Sequence, residues 1–285
     1  MVLSNKQRSQ VAKKNQTGLI WIAIAAILWS AQGALGKTNT WNPVSLTAVR
    51  AIFAALTIGI CRKDFRFPKG KANYMAAFFV AVTGLLFIFA NRLTTAANAI
   101  VLQYIMPVFV IGFSWAVWKQ RPTKLDVTCC VFMLFGVALC FLGGFSGGKL
   151  IGNLLSLVTA CTFGGVYLSA RAKGSDVLGY TYLGAVFSVV LLPVVFFDSA
   201  FTLTAGNVLS AASMGLCVGL GYVCFAKGFR NKVDPVSASM ISYLEPVLNP
   251  VWVAIFIQEP VGVSSLIGII IVLSMALIYS IFSRK

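Results

Sequence analysis

Ten apolar stretches, each close to the length of a membrane crossing and each followed by a short polar or Gly/Pro break, dominate this chain. A helix needs about 20 mostly apolar residues to cross the hydrocarbon core of a bilayer. Backbone in lipid must also satisfy its own hydrogen bonds, so only helices and closed barrels can span. The spans read as 18–37, 44–61, 72–90, 96–118, 125–144, 150–171, 178–197, 205–228, 235–257 and 261–282. The breaks carry turn or charge signals, as in Thr40-Trp41-Asn42-Pro43, Pro68-Lys69-Gly70-Lys71 and Lys119-Gln120-Arg121-Pro122. Composition agrees: 59% of the residues are hydrophobic and 11% charged, against about 25% charged in a soluble domain. The expected class is an all-α, multi-pass integral membrane protein.

The charge is lopsided, with 23 Lys and Arg against 7 Asp and Glu. A nucleic-acid binder would gather those bases on one exposed face, whereas here they fall in short clusters between spans, so no nucleic-acid partner is expected. Cytoplasmic loops collect Lys and Arg. Ten crossings with both termini cytoplasmic place 19 basic residues inside and three (Lys37, Arg92, Lys149) outside, leaving only Arg50 within a span. A bacterial-type inner membrane is the expected location. The first span follows Lys6, Arg8, Lys13 and Lys14 in the manner of a signal peptide. Its apolar run is too long and lacks a small-residue cleavage site, which predicts an uncleaved first helix behind a basic tail, residues 1–17.

No histidine is present, and the seven cysteines lie in or beside apolar runs without a C-x-x-C spacing. They read as small packing residues, and the acidic residues show no metal-binding pattern. No P-loop, G-x-G-x-x-G or hydrolase motif occurs. Neither cofactor, metal site nor catalytic residue is expected.

The chain also repeats itself. Shifting it by about 134 to 139 residues aligns 18–37 with 152–171, Trp29 with Phe163, and Phe89-Ala90 with Phe225-Ala226. The same shift aligns Tyr104-Ile-Met-Pro107 and Gln120-Arg-Pro122 with Tyr243-Leu-Glu-Pro246 and Gln258-Glu-Pro260. Each half, 18–144 and 150–282, holds five spans. An odd number forces the copies to cross in opposite directions, an architecture that recurs in secondary transporters with the substrate site near the midplane. The Gln-X-Pro corner carries Arg121, Lys119 and Lys124 in one copy and Glu259 in the other, which suits opposite faces.

These features resemble the drug/metabolite transporter superfamily, in its EamA-like branch of ten-helix proteins. The likeness rests on Leu28-Trp29-Ser30, the 43–50 entry to the second span, the 96–107 run, and the stretch from Tyr243-Leu-Glu-Pro246 through Gln258-Glu259-Pro260 to Gly268. It implies secondary transport or export of small metabolites, often amino acids or related compounds, driven by an ion gradient or by exchange. The halves differ at Met106, where the second copy has Glu245.

Glu245 is the sharpest candidate. A charge at mid-span costs roughly 2.5–3.5 kcal/mol on insertion scales, so such a side chain is expected to face a polar cavity as a proton or cation site; a structural carboxylate is the alternative. Helical spacing sets Ser242, Asn249 and Trp252 on its side, and Pro246 and Pro250 free carbonyls for the cavity. Arg50 could hold a substrate carboxylate, pair with Glu245, or snorkel toward the interface. Together with Glu245 it suits a zwitterion. Trp29, Tyr104, Tyr167, Tyr243 and Trp252 could line the cavity and hold an apolar group or a quaternary ammonium, or simply pack helices. Trp21, Trp41, Trp115 and Trp118 read as interfacial anchors. Gln32, which shares a face with Trp29, and Asn98 and Gln103 are further polar candidates. Gly215 and Gly219 form a G-x-x-x-G read as helix packing within one chain, so a monomer is expected and a dimer seam is the alternative.

The leading function is alternating-access secondary transport of small organic metabolites, with amino acids or related zwitterions and cations favoured. Its partners are the substrate, a proton or another coupling ion, and the bilayer. The alternatives are a passive channel, which calls for a continuous polar stripe where this chain has sparse, central polar positions, and an intramembrane lipid-handling protein or enzyme, which calls for a catalytic constellation.

Overall fold

A computed structural model describes residues 5–94, 96–142, 149–258 and 262–283. The described residues form helices and no strand: α1 Asn5–Ser30, α2 Gln32–Lys37, α3 Pro43–Arg62, α4 Lys71–Leu93, α5 Ala96–Gln103, α6 Met106–Trp118 and α7 Lys124–Cys140 in the first half. The second half holds α8 Leu150–Ser169, α9 Val177–Val189 with a following 3-10 turn Leu192–Phe197, α10 Ala205–Arg230, α11 Pro235–Ile241, α12 Leu244–Ile257 and α13 Val263–Phe282. Seven stretches are long and apolar enough to cross a membrane by length and composition alone. The other three crossings are α4, the 17-residue α7, and the interrupted α11–α12.

Four of the ten expected spans are not continuous α-helices. The first breaks at Ala31, just ahead of Gly33 and Gly36, which lower helix propensity. The fourth breaks at Tyr104-Ile105 and the ninth at Ser242-Tyr243. The seventh loosens into the 3-10 turn at Pro193.

Packing obeys the repeat. α1 packs on α10 as α8 packs on α4, α3 packs on α10 as α9 packs on α4, and α5 and α6 embrace α8 as α11 and α12 embrace α1. The remaining principal pairs, α3 with α9, α6 with α11 and α7 with α13, join equivalent crossings of the two copies. A pseudo-two-fold axis therefore runs through those three contacts. Where α7 meets α13, a Cβ on Gly268 would lie 2.3 Å from Gly136 O, so only glycines permit the crossing. Likewise a Cβ on Gly215 would fall 2.4 Å from Arg50 O, and one on Gly219 2.6 Å from Thr57 Cβ. The G-x-x-x-G thus seats α10 on α3 of the same chain.

Helix ends and loops that ten alternating crossings assign to one face are bonded to one another. On the basic face, Arg62 Nη2 donates to Asp176 Oδ2 at 2.9 Å, Asn73 Nδ2 to Gly174 O at 3.1 Å, and the Tyr279 hydroxyl to Asp126 Oδ1 at 2.6 Å. On the opposite face, Asn39 Nδ2 donates to Asn207 O at 2.9 Å and Lys149 N to Leu93 O at 2.8 Å. Trp41 differs from the expected interfacial anchor. It is 4% exposed, its indole N–H donates to Thr202 O at 2.8 Å, and its ring lies 4.5 Å from that of Phe201. Trp21 and Trp118 instead carry Lys227 and Arg171 over their rings.

Candidate functional site

Proline creates the site. Pro107 and Pro246 have no N–H, and their rings clash with the carbonyl four residues back, at Gln103 and Ser242. The preceding helices therefore stop at Gln103 and Ile241 and restart at Met106 and Leu244. Tight turns bridge the gaps, with Val108 N donating to Ile105 O at 2.9 Å and Glu245 N to Ser242 O at 3.0 Å. Both restarted helices end in a left-handed residue other than glycine, Lys119 and Gln258. In lipid, such interrupted backbone is tolerated only where it is buried in protein or lines a cavity.

The two breaks meet. Tyr104 and Tyr243, the repeat-related tyrosines at the gaps, are 3% and 0% exposed, and their ring centroids lie 5.9 Å apart. Tyr167 of α8 joins them through a 2.6 Å hydrogen bond between its hydroxyl and Ser242 Oγ. Cys130 of α7 sits 3.8 Å from the Tyr243 hydroxyl. Glu245 occupies the first turn of α12, where the helix N-terminus favours a negative charge. Its carboxylate lies close enough to the Tyr104 hydroxyl, Tyr167 and Tyr222 to interact with them. Yet Glu245 Oε2 and the Tyr104 hydroxyl are both buried without completing a hydrogen bond, as is Gln103 Oε1. Buried polar atoms normally find partners, and two of these three atoms can only accept.

An aromatic wall continues from this point. Trp29, at the end of α1, lies 5.1 Å from Tyr222, 5.7 Å from Phe225 and 6.5 Å from Phe163, its own repeat equivalent. Its indole N–H reaches Val218 O at 3.4 Å. Gly221 makes the room, since a Cβ there would lie 2.2 Å from Trp29 Nε1. Phe225 stacks edge-on to Tyr167 at 4.9 Å.

Arg50 does not pair with Glu245. Its Nη1 donates to Gln32 Oε1, and Tyr222 stands where it interacts with both the guanidinium and the carboxylate. Trp252 Nε1 donates to Ser30 Oγ at 2.7 Å, tying α12 to the break between α1 and α2. The side chain of Asn249 lies outside the described residues. Asn98 stands apart from the cluster: its amide donates to Thr94 Oγ1 at 3.1 Å, which in turn donates to Asn153 Oδ1 at 2.6 Å, bracing α5 and α8 at the opposite face.

The structure thus gathers Glu245, Ser242, Tyr243, Tyr104 and Tyr167, places Trp29 beside them through Phe163 and Phe225, pairs Arg50 with Gln32, and leaves Asn98 elsewhere; Gln103 is buried one residue before Tyr104. Tyr222 and Ser30 were not anticipated from the sequence. Ser30 lay within the quoted Leu28-Trp29-Ser30 segment, and Tyr222 directly follows the Gly219-Leu-Gly221 stretch that brings α10 close to its neighbours. Among the described residues no three His, Cys, Asp or Glu side chains gather as metal ligands.

Known proteins are similar to this chain. A transporter of Clostridium kluyveri is 25% identical over 283 residues, spanning 90% of each chain. An inner membrane transporter of Salmonella typhimurium, YicL, is 23% identical over 94% of this chain and 96% of its own. Human solute carrier family 35 member G1 is 27% identical over 62% of this chain and 55% of its own. One crystal structure superposes with a TM-score of 0.79 at 18% identity, covering 94% of this chain and 99% of that one, a likeness of fold alone. The EamA-like transporter family matches twice in tandem, at residues 16–142 and 150–281. This multi-pass membrane protein belongs to the EamA-like transporter family, within the drug/metabolite transporter superfamily.

Proposed function

We propose that the protein is a secondary transporter of small organic metabolites bearing an amine, amino acids or related zwitterions and cations, working by alternating access around the Glu245 cluster. One observation carries this reading. A carboxylate oxygen is buried without a hydrogen-bond partner where two interrupted helices of opposite orientation meet. Burying an unpaired charge in an apolar medium is costly, and a ligand ammonium or a coupling proton offsets that cost. Trp29, Tyr104, Tyr167 and Tyr222 supply ring faces that attract cations. Arg50, which donates to Gln32 Oε1, is the group to receive a substrate carboxylate. With the basic face cytoplasmic, both termini lie inside.

Purified protein in proteoliposomes tests the proposal. Flux of amine-bearing solutes is expected to be saturable, stereoselective and accelerated by substrate on the far side, and to be lost in Glu245→Gln. Non-saturable flux without trans-acceleration would indicate a channel, and flux unchanged in Glu245→Gln would remove the carboxylate from the mechanism.

A further inference from the structure

The basic face carries a feature that transport does not use. Between α3 and α4 the chain places Arg62, Lys63, Arg66, Lys69 and Lys71 within ten residues. The acids that share this corner, Asp64 and Asp176, both answer to Arg62, at 3.9 and 2.9 Å. Among the described residues Lys63, Arg66, Lys69 and Lys71 form no ion pair. The corner is held firmly. Asn73 is 2% exposed and its amide donates to Lys69 O at 2.7 Å and Gly174 O at 3.1 Å. Phe65 packs over Gly59, and Phe65 and Phe67 both lie against the Tyr182 ring.

Beside this fixed cationic rim, an open depression of about 640 Å³ descends the outward side of α4, lined by Gly70, Lys71, Tyr74, Met75 and Phe78. Tyr74, Met75 and Phe78 are 45%, 56% and 53% exposed. Lys71 sits at the start of the helix and Phe78 two turns into it, so the depression is cationic where the helix enters the bilayer and apolar below. A soluble anion has no use for the apolar floor, and a neutral lipid none for the rim.

We propose that this depression is a binding site for an anionic phospholipid of the leaflet it faces. The headgroup phosphate lies against Lys69 and Lys71, and the glycerol and upper acyl chain lie along Tyr74, Met75 and Phe78. Basic residues at a membrane surface attract anionic lipid with about 1 kcal/mol each, and an aromatic ring at headgroup level suits the boundary.

The test is native mass spectrometry of the full-length protein released from mixed phosphatidylglycerol and phosphatidylcholine micelles. Wild type is expected to retain phosphatidylglycerol in preference. Lys69→Gln with Lys71→Gln should lower that preference by about fivefold per lysine, about 25-fold for the pair. Met75→Trp, which fills the depression without altering charge, should lower retention of phosphatidylglycerol as well. Lys119→Gln with Arg121→Gln, on another loop of the same face, should leave it unchanged. Equal loss in the two charge pairs would mean diffuse attraction and overturn the proposal. So would retention unaffected by Met75→Trp, or displacement of the lipid by millimolar inorganic phosphate, which would mark a free-anion site.

Discussion

The two helix breaks are the same device with different chemistry. Each is set by a proline, Pro107 or Pro246, each places a tyrosine at the gap, and each restarted helix ends in a left-handed residue, Lys119 or Gln258. The first carries Met106, 0% exposed and apolar, where the second carries Glu245 with a buried unpartnered oxygen. The Tyr104 hydroxyl faces Glu245, whereas the hydroxyl of Tyr243 rests beside the Cys130 thiol. The backbone break is present in both halves and the charge in one. Under the proposed mechanism both breaks flex and only the second recognises substrate, and substitutions at equivalent positions should separate the two.

The largest expected asymmetry lies at the charge. Glu245→Gln should reduce initial transport rates by about 100-fold, the scale of a lost hydrogen bond to a charged group, while Met106→Leu should change them less than about twofold. Radiolabelled uptake into proteoliposomes, with monodispersity checked by size exclusion, measures both. Equal losses would erase the distinction between the halves.

The tyrosines come next. Tyr104→Phe should raise the half-saturation concentration about tenfold through loss of a hydroxyl beside a charged group, and Tyr243→Phe should leave it unchanged. Since the Tyr104 hydroxyl is buried without completing a hydrogen bond, the same substitution should not lower thermal stability.

The prolines should behave alike. Pro107→Ala or Pro246→Ala restores a backbone N–H able to bond the freed carbonyl and favours the straight helix by roughly 1 kcal/mol, or about fivefold in population. Maximal rate should fall about fivefold in both, with half-saturation unmoved. An effect confined to one half would mean that only one break flexes.

How much of this could be read from the chain divides along physical lines. Ten crossings and their repetition follow from apolar length and polar breaks, which act locally. The interruptions at Tyr104 and Ser242 were hidden because hydropathy runs through them unchanged, although Pro107 and Pro246 marked the positions. Which face of a helix looks inward was far less legible, because lipid is as apolar as a protein interior. In α6, Val110 is buried while Val108, Phe113 and Trp115 are exposed, with no polarity difference to tell them apart. The pairing of Arg50 with Gln32, the place of Tyr222 and the bracing role of Asn98 depend on contacts between crossings that sequence spacing does not encode. Trp41 looked interfacial from its neighbours, yet it is buried by Phe201, about 160 residues further along the chain.

The smallest expected contrast lies at the two ends of the α7–α13 pair. On the basic face Tyr279 bonds Asp126 at 2.6 Å, and at the other end Ser265 Oγ donates to Cys140 O at 2.8 Å. Tyr279→Phe should lower stability by about 1 kcal/mol and Ser265→Ala by about 0.6 kcal/mol, read as unfolding midpoints in detergent. The reverse order would place the tighter clasp on the other face.

Ligand-induced thermal stabilisation of the purified protein tests the proposed role of Glu245 most directly. The panel pairs amine-bearing solutes with their deaminated carboxylate counterparts, against wild type and Glu245→Gln. Amines and zwitterions are expected to raise the Tm of wild type in a concentration-dependent manner, with neither effect surviving in Glu245→Gln. Stabilisation by the deaminated compounds to the same extent, or stabilisation that persists when Glu245 is neutralised, would show that recognition lies elsewhere in the molecule.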